Sequence, residues 1–242
     1  MLRNNIKISI NVSLFILMTL PLLSQNIYLN DISSKYKSLQ SWHVETKTSI
    51  YKNVNDSKPF NVVESKSFAT SNGVLIKNGS FEILMNPKCS LIIDHKEKTI
   101  QYSNSNENNI KAIRLKNKPD VIIDTSNKNY ENSILELDNG DILLESKSLN
   151  PKNEIKSAKY YFEKETFKLK KIIYLFNEKS IYRKAVIEYS VFDMSPNFNS
   201  DFFSESKFII GNGPKASLQK KYASYEFFNQ YGKTLKDYLN EN

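Results

Sequence analysis

The chain has 242 residues, with 34 lysines and arginines against 26 aspartates and glutamates, a formal charge of +8. A single cysteine, Cys89, excludes an intramolecular disulfide, and two histidines cannot build a zinc site of the usual His/Cys type. The lysines are scattered through strand-like stretches with Glu or Asp close by, so the excess charge does not describe a nucleic-acid groove. A mildly basic surface is compatible with anionic lipid headgroups instead.

Residues 1–25 read as a secretory signal. Arg3 and Lys7 form a basic start with no acidic residue nearby, and Ile8 to Leu23 is mostly apolar. That run is short for a permanent span, which needs about 20 apolar residues. Pro21 followed by Ser24-Gln25 supplies a helix break and a small residue for cleavage. An exported, periplasmic or secreted, protein is expected.

Asn26 to Leu39 carries Ile27, Ile32, Tyr36 and Leu39 as an amphipathic stripe and predicts a short helix. From Trp42 the period changes to two: Trp42, Val44, Thr46, Thr48 and Ile50 alternate with His43, Glu45, Lys47 and Ser49. Lys52 to Lys58 is a polar turn region, and Phe60 to Thr70 a second strand. Two hairpins follow. Asn78-Gly79, between Val74–Ile76 and Phe81–Met85, predicts a type I′ turn. His95-Lys96-Glu97-Lys98 separates Leu91–Ile93 from Thr99–Tyr102.

Residues 103–132 are the least regular and the best place for helices or a flap. Pairing resumes with Ile134–Leu137 and Ile142–Leu144 around Asn139-Gly140. Ala158–Phe162, Lys168–Phe176 and Ile181–Phe192 continue it. The sum is roughly ten strands joined by short connections, a mainly β meander. After Gly211-Asn-Gly-Pro214, Ala216 to Asn240 reads as a helix rich in aromatics: Tyr222, Tyr225, Phe227, Phe228 and Tyr231. Two readings stand: a helix docked on the sheet's open edge, or a surface for a protein partner.

The chemistry-bearing motifs are absent. There is no HExxH, GxSxG, Walker loop or GxGxxG, and the six glycines mark turns. His43 and His95 read as surface residues, and Glu163/Glu165 and Asp138/Asp141 occupy turns. No catalytic residue, metal or cofactor is expected, and the chain does not read as an enzyme.

The order of Ser41–Lys47, Gly73–Phe81, Ile93–Tyr102, Ile134–Leu137 and Lys159–Ile172 resembles the periplasmic outer-membrane lipoprotein carrier family, the LolA-like proteins. The resemblance covers residues 27–210 in layout. It implies a curved, unclosed antiparallel sheet with helices in its concave side and an apolar cavity for the acyl chains of a lipoprotein. Asn78 stands where the family typically carries an arginine linked to the transfer cycle.

On this basis the chain divides into a signal peptide (1–25), a half-barrel domain (26–211) and a C-terminal helical extension (212–242). The expected function is non-catalytic binding or carriage of a lipoprotein or another acyl-bearing ligand. Trp42, Val44, Val74, Ile76, Phe81 and Ile83 are the candidate ligand-binding residues, contributing to a cavity or its core. Alternation sorts strand residues into two sets without saying which is inside. The alternative is an envelope module that contacts a protein partner through the aromatic C-terminal helix and carries no lipid.

Overall fold

The structure, a computed structural model, describes residues 28–119 and 128–232. The expected signal peptide and residues 233–242 of the expected C-terminal extension lie outside the described residues. A helix whose described part covers residues 28–38 (α1) comes first. The strands are β1 (Trp42–Tyr51), β2 (Asn61–Thr70), β3 (Gly73–Asn78), β4 (Phe81–Met85), β5 (Cys89–Asp94) and β6 (Thr99–Asn104). Helix α2 (Glu107–Asn117) follows, then β7 (Tyr130–Glu136), β8 (Ile142–Ser148), β9 (Ile155–Phe162), β10 (Leu169–Phe176) and β11 (Lys184–Asp193). The last elements are β12 (Ile209–Ile210), β13 (Ser217–Leu218) and β14 (Glu226–Asn229).

Twelve strands share one hydrogen-bonded order, β14-β6-β5-β4-β3-β2-β1-β11-β10-β9-β8-β7. The order is linear, so the meander is unclosed; β12 and β13 pair separately. The mainly β class expected from the hairpins is therefore what forms, with twelve strands in the sheet among the described residues against the roughly ten expected. By contacts the chain makes two compact units. The first contains residues 28–38, Tyr51–Asp56 and 128–186, and the second contains Leu39–Ile50, Ser57–Pro119 and 187–232.

In the first unit, β7 to β10 form antiparallel hairpins. Ile134, Leu144 and Tyr160 lie opposite one another, as do Ile142 and Phe162. All are buried on one side, with Leu169 and Ile172. Helix α1 closes that side. Ile32 and Tyr36 are buried; the Tyr36 ring meets Phe162 edge-on at 5.9 Å and its hydroxyl donates to the Phe167 carbonyl at 3.0 Å. The turn between β7 and β8 has Gly140 at φ 80°, and the Gly140 N–H bonds the Leu137 carbonyl at 2.8 Å. That is a type I turn closed by a left-handed glycine.

In the second unit, the register from β1 to β6 is continuous and antiparallel. The tight turn between β3 and β4 is shifted from the expected frame. Asn78 pairs with Phe81, so the two-residue loop is Gly79-Ser80, with Gly79 alone at positive φ (57°). Glycine in the first central position is the type II′ arrangement, not type I′. Asn78 ends the strand instead of turning it.

The C-terminal segment departs furthest from expectation. Residues 216–232 are not a helix: they run through β13, a single 3-10 turn (Lys220–Tyr222) and β14. Strand β14 adds parallel to β6, Phe227 facing Ile100 and Asn229 facing Tyr102 in register. The aromatic spacing imitates a helical stripe, but packing against the sheet decides the conformation. Within 103–132, α2 is helical, capped by Asn106, whose side chain accepts the Asn109 N–H at 2.9 Å.

Candidate functional site: the tryptophan face of the second unit

Directly paired residues of antiparallel strands share a face, as do residues two apart. The registers therefore sort β1–β6 completely. One face carries Cys89 with Phe68, Leu75, Leu84, Leu91, Ile93, Ile100 and Tyr102, all buried. Onto this cysteine face pack Phe208, Ile209 and Ala216, with Phe198, Phe202, Phe203, Tyr222, Phe227 and Tyr231 around them. Phe202 lies 5.2 Å from Phe68, and Tyr231 stacks on Tyr102 at 5.2 Å. Phe203 lies so close over β3 that a Cβ on Gly73 would stand 2.5 Å from its ring.

Polar groups pin this cover. Asn86 donates to the Phe203 carbonyl at 2.9 Å and to the Glu205 carboxylate at 2.7 Å, and its own oxygen accepts from the Lys88 and Cys89 N–H groups. His95 sits between Glu82 (3.0 Å) and the Tyr225 hydroxyl (2.9 Å). The Gly213 N–H donates to the Tyr102 hydroxyl at 3.0 Å. Burial pushes the Cys89 thiol up to about 12, with the nearby Glu205 carboxylate adding to the shift, and burial likewise raises Tyr102. The single cysteine is thus a small core residue, protonated at neutral pH.

The opposite, tryptophan face carries every candidate ligand-binding residue read from the sequence. Trp42 is in register with Ala69, and Ala69 with Val74; Val44 is in register with Ser67, Ser67 with Ile76, and Ile76 with Ile83. Phe81, two residues from Ile83, extends the same row. The structure brings the six together on one face. Their cover is uneven. Trp42, Val44 and Val74 are buried; the Trp42 indole N–H donates to Ser67 at 2.9 Å. Helix α2 lies over this end. Its Ile110 is buried, and the Arg114 guanidinium stands 6.0 Å over the Trp42 ring and donates to the Gln40 carbonyl at 2.5 Å. Burial holds the Arg114 guanidinium below its usual value.

Beyond α2 the face opens. Ile76 and Ile83 are half-buried, and Phe81 is 50% exposed. Two residues missed in the sequence continue the row: Met85, opposite Val74, and Ile92, opposite Ile83 and 41% exposed. Pairing β4 with β5 through the Asn86-Pro87-Lys88 turn is the signal that would have found Ile92. The result is an aliphatic strip, Ile76–Ile83–Ile92 across three strands, flanked by Met85 and Phe81.

The arrangement offers apolar contact and little chemistry. The ionisable clusters lie on the other face, where His43 stacks on Phe68 at 4.5 Å and contacts Glu45 at 3.1 Å. The hydrogen bond from Lys66 holds the Glu45 carboxyl below the usual carboxylate range. Among the described residues no group of three or more His, Cys, Asp or Glu side chains is placed to hold a metal ion. Of the aromatics that read either as docked on the sheet's open edge or as a partner surface, Tyr222, Tyr225, Phe227 and Tyr231 pack against the cysteine-face core, while Phe228 alternates outward. Among the described residues the segment that carries them is strand and 3-10 turn rather than the expected helix.

No protein-family model matches the sequence, and no curated protein matches it. Solved structures similar in fold include an uncharacterized conserved protein from Thermus thermophilus, 10% identical over 83% of this chain and 98% of that one, with a TM-score of 0.45. A LolA superfamily protein from Nitrosomonas europaea is 10% identical over 72% of this chain and 96% of that chain, with a TM-score of 0.30. The MucA/MucB complex of Pseudomonas aeruginosa is matched at 10% identity over 80% of this chain and 62% of that chain, with a TM-score of 0.40.

Proposed function

We propose that the chain is a non-catalytic, exported binding or carrier protein whose tryptophan face receives an acyl chain, as part of a lipoprotein or another acyl-bearing ligand. The observation that carries this reading is the difference in cover between the two faces. Among the described residues the cysteine face is sealed by the chain itself, while Ile76, Ile83, Ile92 and Phe81 form an apolar row that α2 covers at one end only. Each methylene of a bound chain moved out of water contributes about 0.8 kcal/mol. Methylenes laid along the row therefore supply an apolar driving force that needs no polar contact and is set against the cost of association. Among the described residues no helix is long and apolar enough to cross a membrane.

The test is native mass spectrometry of protein isolated gently from its own cell envelope, followed by lipid extraction. A bound mass of acyl or lipopeptide character supports the carrier reading and identifies the cargo. Protein that is repeatedly empty, and takes up neither added fatty acid nor lipopeptide, sinks it. A protein partner seated on the same row is the competing reading, favoured by the outward Phe81, since aromatic side chains are enriched at interfaces. Crosslinking from position 81 separates the two: it captures a polypeptide in one case and lipid in the other.

A further inference from the structure

Three loops at one end of the first unit are tied into a single rim. The Asn177 side chain donates to the Asn153 carbonyl at 2.8 Å, and its main-chain N–H to the Glu154 carbonyl at 2.9 Å. The Arg183 N–H reaches the Tyr51 carbonyl at 3.0 Å, and the Lys184 ammonium reaches the Val54 carbonyl at 2.6 Å. These bonds hold the β8–β9 connection, the β10–β11 turn and residues 51–56 side by side.

The rim combines free positive charge with exposed aliphatic groups. The β8–β9 and β10–β11 loops enclose an open cleft of about 620 Å³ whose lining includes Lys152, Lys156 and Lys179, against one carboxylate, Glu178. All three lysines are exposed, and none forms an ion pair among the described residues. On the same rim stand Ile181, 81% exposed, together with Leu149 and Val54, also exposed. Two strand lysines of the same unit are balanced by carboxylates instead, Lys170 by Asp141 at 2.8 Å and Lys159 by Glu145 at 3.8 Å. Unbalanced ammonium groups beside outward aliphatic side chains are the two components of interfacial binding: attraction to anionic headgroups, and apolar area for the acyl boundary.

We propose that this rim docks the protein on an anionic lipid surface. Lys152, Lys156 and Lys179 meet headgroup phosphates, and Ile181 and Leu149 enter the acyl boundary. The tied loops present these groups in a fixed arrangement, so no ordering of the turn opposes docking. The inference concerns the first unit alone and does not depend on what the tryptophan face carries.

The only tryptophan, Trp42, is buried in the second unit, so Ile181→Trp places a local reporter on the rim. The purified protein with this substitution is titrated with phosphatidylglycerol vesicles whose acyl chains are brominated, and with phosphatidylcholine vesicles brominated in the same way. Quenching by the first set, weak quenching by the second, and loss of the signal in high salt are expected. Adding Lys152→Gln, Lys156→Gln and Lys179→Gln together lowers vesicle affinity about a hundredfold, about fivefold for each lysine. All four positions are exposed, so folding is not at risk. No quenching by phosphatidylglycerol vesicles, or an affinity unchanged in the lysine variant, overturns the proposal. Full displacement by soluble glycerophosphate also overturns it, because it identifies a site for free phosphate.

Discussion

The two faces of β1–β6 are built by the same strands from similarly apolar residues, yet among the described residues only one is covered along its length. The cysteine face buries Leu84, Leu91, Ile93 and Tyr102 beneath residues 198–231, which bring eight partly buried hydrophobic side chains to it. The tryptophan face buries Trp42 and Val74 beneath α2 and then leaves Ile92 and Phe81 outward. A sealed core and an open apolar surface can thus share one strand, one residue out of phase. What separates them is the cover, which arrives from far along the sequence.

The comparison implies that substitutions on the cysteine face act on stability, whereas those on the open row act on binding. The largest expected effect is at the cover. Phe208→Ala removes a buried ring stacked on Tyr222 and should cost about 3–5 kcal/mol in urea unfolding. A loss below about 1 kcal/mol would mean that the segment is not integral to this core. Gly73→Ala comes next. Its Cβ meets Phe203 at 2.5 Å, and such overpacking costs about 1–3 kcal/mol. Combining it with Phe203→Ala should recover part of that loss in a double-mutant cycle.

The cysteine face also has a pH signature. The folded Cys89 thiol is raised, so its contribution is complete below the thiol value of the unfolded chain and is lost as pH rises toward about 12. Unfolding free energy should fall above about pH 9. Cys89→Ala should flatten that slope, and thiol reagents should modify the native protein slowly. The smallest stability effect belongs to the open row. Phe81→Asp should change unfolding by no more than about 0.5 kcal/mol, as at other exposed positions. It should nonetheless reduce uptake of a fluorescent fatty acid severalfold. Unchanged uptake would move the acyl site away from this row.

Much of the meander was legible in the sequence, because Asn, Gly and charged turn residues bracket its strands. The six candidate site residues also fell on one face, since period-two alternation from Trp42 and from Val74 keeps each row intact. What alternation cannot supply is phase. Whether Trp42 or Cys89 faces the finished core depends on residues more than a hundred positions away, such as Phe203 and Phe208. The Asn78-Gly79 dipeptide misled by one residue because type I′ and type II′ turns both accept glycine, and only the pairing of Asn78 with Phe81 distinguishes them. The C-terminal segment misled more. Leu218, Tyr222, Tyr225 and Phe228 repeat at helical spacing, whereas Phe227 inward and Phe228 outward is the alternation of a strand.

The parallel docking of β14 on β6 has a consequence for biogenesis. Glu226 to Asn229 pairs with Thr99 to Tyr102, so the edge of the sheet waits for residues made long after its neighbours. A chain emerging N-terminus first completes the hairpins β1–β6 early, by local pairing. It then carries Phe68, Leu91 and Tyr102 uncovered until residues 198–231 follow. Through that interval the bare β6 edge is a template for any other strand, which is the setting in which intermolecular pairing begins. A factor that shields nascent apolar surface would therefore find its substrate in this face before the tail arrives, and lose it once Phe227 stacks on Tyr102.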